Sequence, residues 1–383
     1  MVTNQPDLPS IKTQKFIIQA TSLCNINCHY CYLPHRLSRK RMDMRTLSRI
    51  YDSIFSSSLI SDSIDIVWHA GEPMTLPISF YEDAFHLIEQ HNMRQIPVFF
   101  AFQTNGTRIT QQWCDFINDH LVRINISLDG PKHIHDAHRV DWAGKGTFER
   151  IVRNIDLLQK NGINPGILMV LTRQALDYPD AIWQFLIDHR IKNIAFLIEE
   201  ALGTCENIPM NTREDEKKYT AFLKRILELR DACEHSIFVR EIDLLIDRIK
   251  YLTHPIRAQA NAPMAVISFD CEGNVSTLSP ELLTLSHPHY NNFIFGNVFE
   301  DRLEDILSNH KFMAINSEVQ SGVARCKSTC DYFLFCGGGS PANKLSENGT
   351  FNSTETTHCK LTIKATTEVI LAHLEKRYQQ PSI

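Results

Sequence analysis

The chain has 383 residues, 43% of them hydrophobic and 22% charged, with a formal net charge of −5. That length suits two domains or one large barrel with an appendage, and the acidic balance leaves no basic footprint for nucleic acid. No apolar run approaches the roughly 20 residues that span a bilayer. The opening "MVTNQPDLPSIKTQ" lacks the charged and apolar regions of a signal peptide, which implies a cytoplasmic chain. In a reducing compartment its 11 cysteines point to bound metal rather than disulfides.

Residues 15–23 read as a buried strand that runs into "CNINCHYC". Helical spacing follows over 44–59, with Leu47, Ile50, Tyr51 and Ile54 on one face. A strand over 63–73 ends in a Gly-Glu-Pro turn. Helices over 80–92, 111–120, 148–162 and 177–190 then alternate with strands over 97–106, 122–131, 164–172 and 191–200. This order predicts a parallel sheet with helices outside. Its strands are apolar on both faces, as buried parallel strands are. About six such units, with their informative loops at strand C-termini, predict an α/β fold containing a partial (β/α)6 barrel of TIM type.

The alternation fades after about residue 205. Helices are predicted over 213–234 and 239–252, then a hairpin over 265–278 that turns at Gly273-Asn274. From there to about 359 the chain is rich in Cys, Gly, Asn, Ser and Thr. That composition predicts a region stapled by a metal cluster rather than by a conventional core. A helix over about 360–378 closes the chain. The expected organisation is an N-terminal segment (1–14), the partial barrel (15–235), a helical bridge (236–262) and a cysteine-rich C-terminal domain (263–383).

Cys24, Cys28 and Cys31 form C-x3-C-x2-C on the loop after the first strand, with Tyr30 before the last. Three thiolates fit one [4Fe–4S] cubane and leave one iron with an open site. An open coordination site implies chemistry rather than scaffolding. The alternatives are plain loop cysteines, or zinc completed by His29 or His35. Cys326, Cys330, Cys336 and Cys359 make a second group. Four thiolates would ligate a cluster fully, and would suit zinc equally well. Cys114, Cys205, Cys233 and Cys271 stand apart and read as small buried hydrophobes.

"CNINCHYC" resembles the CxxxCxΦC signature of radical S-adenosylmethionine (SAM) enzymes. The resemblance implies that the cluster on Cys24, Cys28 and Cys31 binds and cleaves SAM, giving a 5′-deoxyadenosyl radical. It also implies SAM contacts along the later loops. "HAGEP" would contribute His69, Gly71, Glu72 and Pro73, with Ala70 replacing the first glycine of a GGEP motif. "QTNG" would contribute Thr104 and Asn105, and "SLDGP" Ser127 and Asp129. Tyr30 belongs to the same set, and Arg139 matches the arginine that pairs with SAM's carboxylate.

"CKSTCDYFLFC" and Cys359 resemble the SPASM extension of radical SAM enzymes that modify peptides. The implied cofactors are the SAM-binding [4Fe–4S] cluster, one auxiliary [4Fe–4S] cluster on Cys326, Cys330, Cys336 and Cys359, and SAM itself. A further auxiliary cluster would need cysteines where Leu278 and Ser340 stand, and Cys271 is not at a matching position. Sulfatase-maturating relatives carry an aspartate where Ser279 stands.

The text "CDYFLFCGGGSPANKLSENGTFNSTETTHC" is similar to cyclophane-forming maturases of ribosomal peptides, of the GrrM/OscB type. What that implies is a carbon–carbon crosslink between an aromatic ring and a nearby β-carbon. The substrate would be a precursor peptide, glycine-rich and carrying aromatic residues. An electron donor such as flavodoxin or ferredoxin would serve it, with no nucleic acid or membrane partner. The alternative is another radical SAM maturation, by thioether formation, epimerisation or formylglycine-type oxidation. A proton acceptor is needed, and Glu281, Glu199 and Glu200 are the candidates.

Overall fold

The computed structural model describes residues 12–200, 202–203, 210–251 and 258–379. Cys205 and the first part of the N-terminal segment, up to residue 11, lie outside the described residues.

The predicted alternation is present. Strands β1 (Thr13–Ile18), β2 (Ile60–Trp68), β3 (Val98–Thr104), β4 (Arg123–Ser127), β5 (Gly166–Leu171) and β6 (Asn193–Ile198) each pair in parallel with their sequence neighbour. Between them run α1 (Met44–Ser56), α2 (Ile78–His91), α3 (Gln111–Asp119), α4 (Lys132–His138), α5 (Phe148–Lys160) and α6 (Pro179–Asp188). Local chemistry sets the starts. The Asp43 carboxylate accepts from Thr46 N at 2.7 Å, which satisfies a donor that the first turn of α1 leaves unpaired. Leu47, Ile50, Tyr51 and Ile54 are fully buried, on the face their spacing predicts.

Two further strands join this sheet. After α7 (Arg213–Asp231), β7 (Phe238–Val239) pairs in parallel with β6 and leads into α8 (Arg240–Tyr251). On the opposite side β8 (Val266–Phe269) pairs in parallel with β1, and Thr13 Oγ1 donates to Met264 O at 2.7 Å. The parallel run is therefore β8-β1-β2-β3-β4-β5-β6-β7. It extends antiparallel through β9 (Asn274–Thr277) to Gly296–Asn297. The hairpin expected over 265–278 is thus an edge of the main sheet. Strand β7 is too short for periodicity to show, and a hairpin pattern does not reveal that β8 also pairs with β1.

Beyond the hairpin come α9 (Leu303–Ile306), α10 (His310–Thr329), α11 (Phe333–Cys336) and α12 (Pro341–Asn348). A final helical stretch, Thr357–Gln379, contains a π-helical stretch over Lys360–Ala365. The expectation that this region lacks a conventional core is wrong. Phe293, Phe295, Phe312, Ile315, Val319, Leu345 and Phe351 are buried, and they pack continuously with the barrel core. Phe293 and Phe351 meet edge to face at 5.9 Å, Phe295 and Phe312 at 5.6 Å. Averaging composition over the segment hides these widely spaced phenylalanines, each worth about 1.5–3 kcal/mol when fully buried. It likewise hides the 20-residue helix α10.

Candidate active site

The C-terminal ends of β1–β6 surround a cavity of about 320 Å³. The cysteine loop after β1 brings Cys24, Cys28, Tyr30 and Cys31 to one wall. His69, Gly71 and Glu72 enter after β2, Thr104 and Asn105 from the end of β3, and Ser127 from the end of β4. Arg139 follows α4. The far wall is apolar, formed by Leu168 and Val170 of β5 and Leu197 of β6. Glu199, Glu200 and Glu281 close its rim. Of the residues expected here, Pro73 and Asp129 do not line the cavity. Pro73 opens a 3-10 turn behind it, and Asp129 is fully buried beneath Tyr30 and Arg139.

The loop after β2 locks the cysteine loop in place. Gly71 has φ +59°, and a Cβ there would stand 2.4 Å from Thr21 O and 2.9 Å from Leu23 O. Only glycine permits that approach. Ala70 takes φ +70° despite its Cβ, a conformation that costs about 1–2 kcal/mol. Glu72 N donates to Leu23 O at 2.8 Å. The Glu72 carboxylate, 1% exposed, accepts from Met74 N at 2.9 Å, Thr104 Oγ1 at 2.6 Å and Asn105 N at 2.7 Å. Burial raises its carboxyl above the usual range, against the pull of those three donors. Glu72 therefore ties the second and third loops together. Glu72 was expected as a SAM contact, and its carboxylate is taken up by these three donors.

Arg139 is similarly engaged. Its Nε and Nη2 meet the two oxygens of Asp129 at 2.9 and 3.1 Å, and its guanidinium lies 5.2 Å from the Tyr30 ring centre. Tyr30 Oη also donates to Asp129. Burial alone would raise the Asp129 carboxyl, but Arg139, His135 and the hydrogen bonds outweigh it and hold it below the usual range. The fork that the resemblance assigns to SAM's carboxylate is thus occupied by Asp129. The remaining nitrogen, Nη1, points to Cys28 Sγ at 3.9 Å.

Cys24 and Cys28 sit among donors. Asn105 Nδ2 reaches Cys24 Sγ at 3.8 Å and is held by Asn25 Oδ1 at 3.0 Å. Trp142 Nε1 donates to Cys24 O at 2.9 Å. Burial, with Glu72 nearby, pushes the Cys24 thiol up to about 12. It pushes Cys28 up to about 11 against the pull of Arg139. Left as free thiols these groups stay protonated at neutral pH, and a bound metal is what would hold them as thiolates. Among the described residues no three His, Cys, Asp or Glu side chains converge as a single ion requires. The thiolates of a multi-iron cluster stand on different irons and need not do so.

The second cysteine group also assembles. Cys326 ends α10 and Cys330 caps it, its N–H donating to Cys326 O at 3.0 Å. Cys336 ends α11, and Thr356 Oγ1 accepts from Cys359 N at 3.0 Å. The four thiols are close enough to feel one another's charge. Gly337, Gly338 and Gly339 all take positive φ. Gly338 N turns onto Cys336 Sγ at 3.4 Å, while Asn261 Nδ2 bonds Gly337 O and Gly339 O at 3.1 and 2.7 Å. Leu278 is buried in the core and Ser340 caps α12. Cys271 lies beside Asp270, Glu272 and Lys40, which are the leading charges acting on it.

Glu200 joins the two cysteine sites. It lines the cavity and meets His358 Nε2 at 3.1 Å, next to Cys359. Burial lifts the Glu200 carboxyl to about 7, opposed by a hydrogen bond with Asn343 and aided by Glu281. Burial also lowers His358 to about 4. At neutral pH their contact is therefore chiefly a hydrogen bond, with the imidazole uncharged. Glu281 accepts from Ser279 Oγ. Sequence reasoning missed Tyr32, whose Oη meets His69 Nε2 at 3.2 Å, and Gln103, whose Nε2 donates to Ser127 Oγ at 3.1 Å. It also missed the apolar wall of Leu168, Val170 and Leu197. Tyr32 adjoins Cys31, and that adjacency was the available signal.

The family profile described as the radical SAM superfamily matches residues 18–185. Protein sll1766 of Synechocystis sp., described as uncharacterized, is 40% identical over 368 residues, spanning 95% of this chain and 92% of that protein. A cysteine-type anaerobic sulfatase-maturating enzyme of Clostridium perfringens is 24% identical over 337 residues, spanning 84% and 86%. Among solved structures, native anSMEcpe with bound AdoMet superposes with a TM-score of 0.78 at 21% identity, covering 95% of this chain and 98% of that one. SuiB of Streptococcus suis bound to its precursor peptide SuiA gives 0.61 at 15% identity, covering 92% and 76%.

Proposed function

The chain belongs to the radical SAM superfamily, and from that premise we propose that it is a peptide maturase that installs carbon–carbon crosslinks in a ribosomally made precursor. One observation carries the reading: a three-cysteine loop and a four-cysteine site are joined through Glu200 at a single cavity. The cysteine-type sulfatase-maturating relative and the peptide-bound SuiB structure support a peptide as substrate. The cyclophane assignment rests on the "CGGGSPANK" and "ETTHC" text around the four cysteines.

The residues present fit [4Fe–4S] clusters and SAM. Cys24, Cys28 and Cys31 would hold one cluster, and Cys326, Cys330, Cys336 and Cys359 the other. When bound, the first cluster and SAM supply the one-electron chemistry that begins with removal of a substrate hydrogen atom. The chain's own residues do the rest. Gly71 and the strand ends offer backbone and Ser127 to SAM, and Arg139 orients Cys28. Leu168, Val170 and Leu197 exclude water and receive an apolar or aromatic side chain. In this reading Glu200, whose carboxyl burial lifts to about 7, or Glu281 takes the proton that crosslinking releases.

The test uses reconstituted holoenzyme with SAM, a reductant and a synthetic glycine-rich peptide bearing aromatic residues. The expected product loses a pair of hydrogens, resists backbone fragmentation across a short segment and does not react with a hydrazide. A product that does react with hydrazide is an aldehyde, and would establish formylglycine-type oxidation instead. Unchanged mass with inverted chirality would establish epimerisation.

A further inference from the structure

Lys344 lies in α12 between the two glycine-flanked turns of the four-cysteine region, and only 2% of it is exposed. Among the described residues no oxygen acceptor meets its ammonium, and the partner it has is the Cys326 thiol. The acidic groups whose charge reaches it are Cys326, the nearest, with Cys336 and Cys359. Neighbouring helix α10 makes room for it. Gly322 is buried in mid-helix, and a Cβ there would stand 3.2 Å from Lys344 Nζ and 2.4 Å from Phe351 O. A side chain at 322 would close the channel that the lysine occupies. Gly339 packs against the Lys344 stem, its own Cβ position 3.7 Å from Cε.

A buried ammonium that faces only thiols lacks a full counter-charge, which is costly, and such groups persist where one stands opposite. The leading charges acting on this one are all thiols. Four thiolates around iron and sulfide carry net negative charge, and that is the charge this position lacks. We infer that Lys344 is the fixed counter-charge of the four-cysteine cluster, and that it raises that cluster's reduction potential so that the cluster accepts an electron readily. The physical basis is that added positive charge favours the reduced, more negative state, and net charge is among the factors that set such potentials. Lys344 is a positioning residue here, since it neither ligates iron nor lines the substrate cavity. This inference rests on the two-cluster reading above.

The experiment compares anaerobically reconstituted wild type, Lys344→Met and Lys344→Arg. It combines iron counting with a redox titration followed by electron paramagnetic resonance. The first cluster is recognised by the response of its signal to added SAM. In Lys344→Met the reduced-to-oxidised ratio of the four-cysteine cluster at a fixed potential should fall at least tenfold. That is a midpoint lower by about 59 mV for a one-electron couple. The SAM-responsive cluster should move less than twofold, and Lys344→Arg should stay within threefold of wild type. Loss of the second cluster's iron from Lys344→Met, restored in Lys344→Arg, would support the same assignment. An unshifted potential with full iron overturns it, as does an equal shift at both clusters or loss of iron from both variants. Wild type with only one cluster's iron overturns the two-cluster reading itself, before Lys344 enters.

Discussion

The two cysteine sites differ in how their polar surroundings are satisfied. Around Cys24, Cys28 and Cys31 nearly every buried polar group already has a protein partner: Glu72 accepts from three donors, and Arg139 grips Asp129. This wall is finished and rigid, and it opens onto a cavity. Around Cys326, Cys330, Cys336 and Cys359 the reverse holds. Among the described residues the four thiols do not line that cavity, and the buried cation beside them, Lys344, meets no oxygen acceptor and has the Cys326 thiol as its partner. The difference teaches that satisfaction can be read as function. A site whose framework is complete can present reactive groups to a ligand, whereas one whose buried cation faces only thiols suits a resident group of negative charge.

The sharpest break in this comparison is Cys28→Ala. Formation of 5′-deoxyadenosine, measured by chromatography, should fall to background, and iron should drop from about eight to about four per chain. Turnover at a wild-type rate would show that the three-cysteine site is misassigned. Next in size is Cys336→Ala, which should remove the other four irons or so while the SAM-responsive signal persists. Crosslinking should then fail although SAM is still consumed.

Asp129→Asn tests whether the first wall is rigid through its buried pair. Removing one partner leaves Arg139 unpaired and should cost about 3–5 kcal/mol in urea unfolding. An unchanged midpoint would mean that the pair contributes little. The smallest effect belongs to Glu200, where the two regions meet. Its carboxyl sits at about 7 in the fold and near 4.3 in the unfolded chain. The native state keeps a proton that the unfolded state has lost, so stability falls as pH rises from about 4.5 through 7. Glu200→Gln should therefore be more stable than wild type at pH near 8 and lose that advantage toward pH of about 5.5. Parallel unfolding curves at both pH values would remove Glu200 from its bridging place.

The strand–helix alternation and both cysteine groups were legible because each has a local signature. Periodicity marks α1 and the strands, and spacing marks the cysteines. The apolar wall was not legible, since β5 is apolar on both faces. Nothing in "GILMVL" says that Leu168 and Val170 look inward while Ile167 and Met169 pack under helices. The pairing of β8 with β1 was hidden because it joins residues some 250 positions apart. Glu72 and Arg139 were found by motif, but their partners were not, because a motif names a residue and leaves its hydrogen bonds unstated. Lys344 stood in plain view within "GGGSPANK". Only burial distinguishes it from an ordinary surface lysine.

Strand β1 has neighbours of very different age. β2 follows it within a few dozen residues, but β8 is made only after most of the barrel. At about 5–20 residues per second of synthesis, roughly 10–50 s separate the emergence of β1 from that of the strand beside it. For that interval the newborn chain shows one edge of its central strand, and the loop carrying Cys24, Cys28 and Cys31 has no rim from Glu281 to shelter it. On the ribosome this protein is therefore most open to mispairing at β1, beside the loop that carries its three-cysteine site.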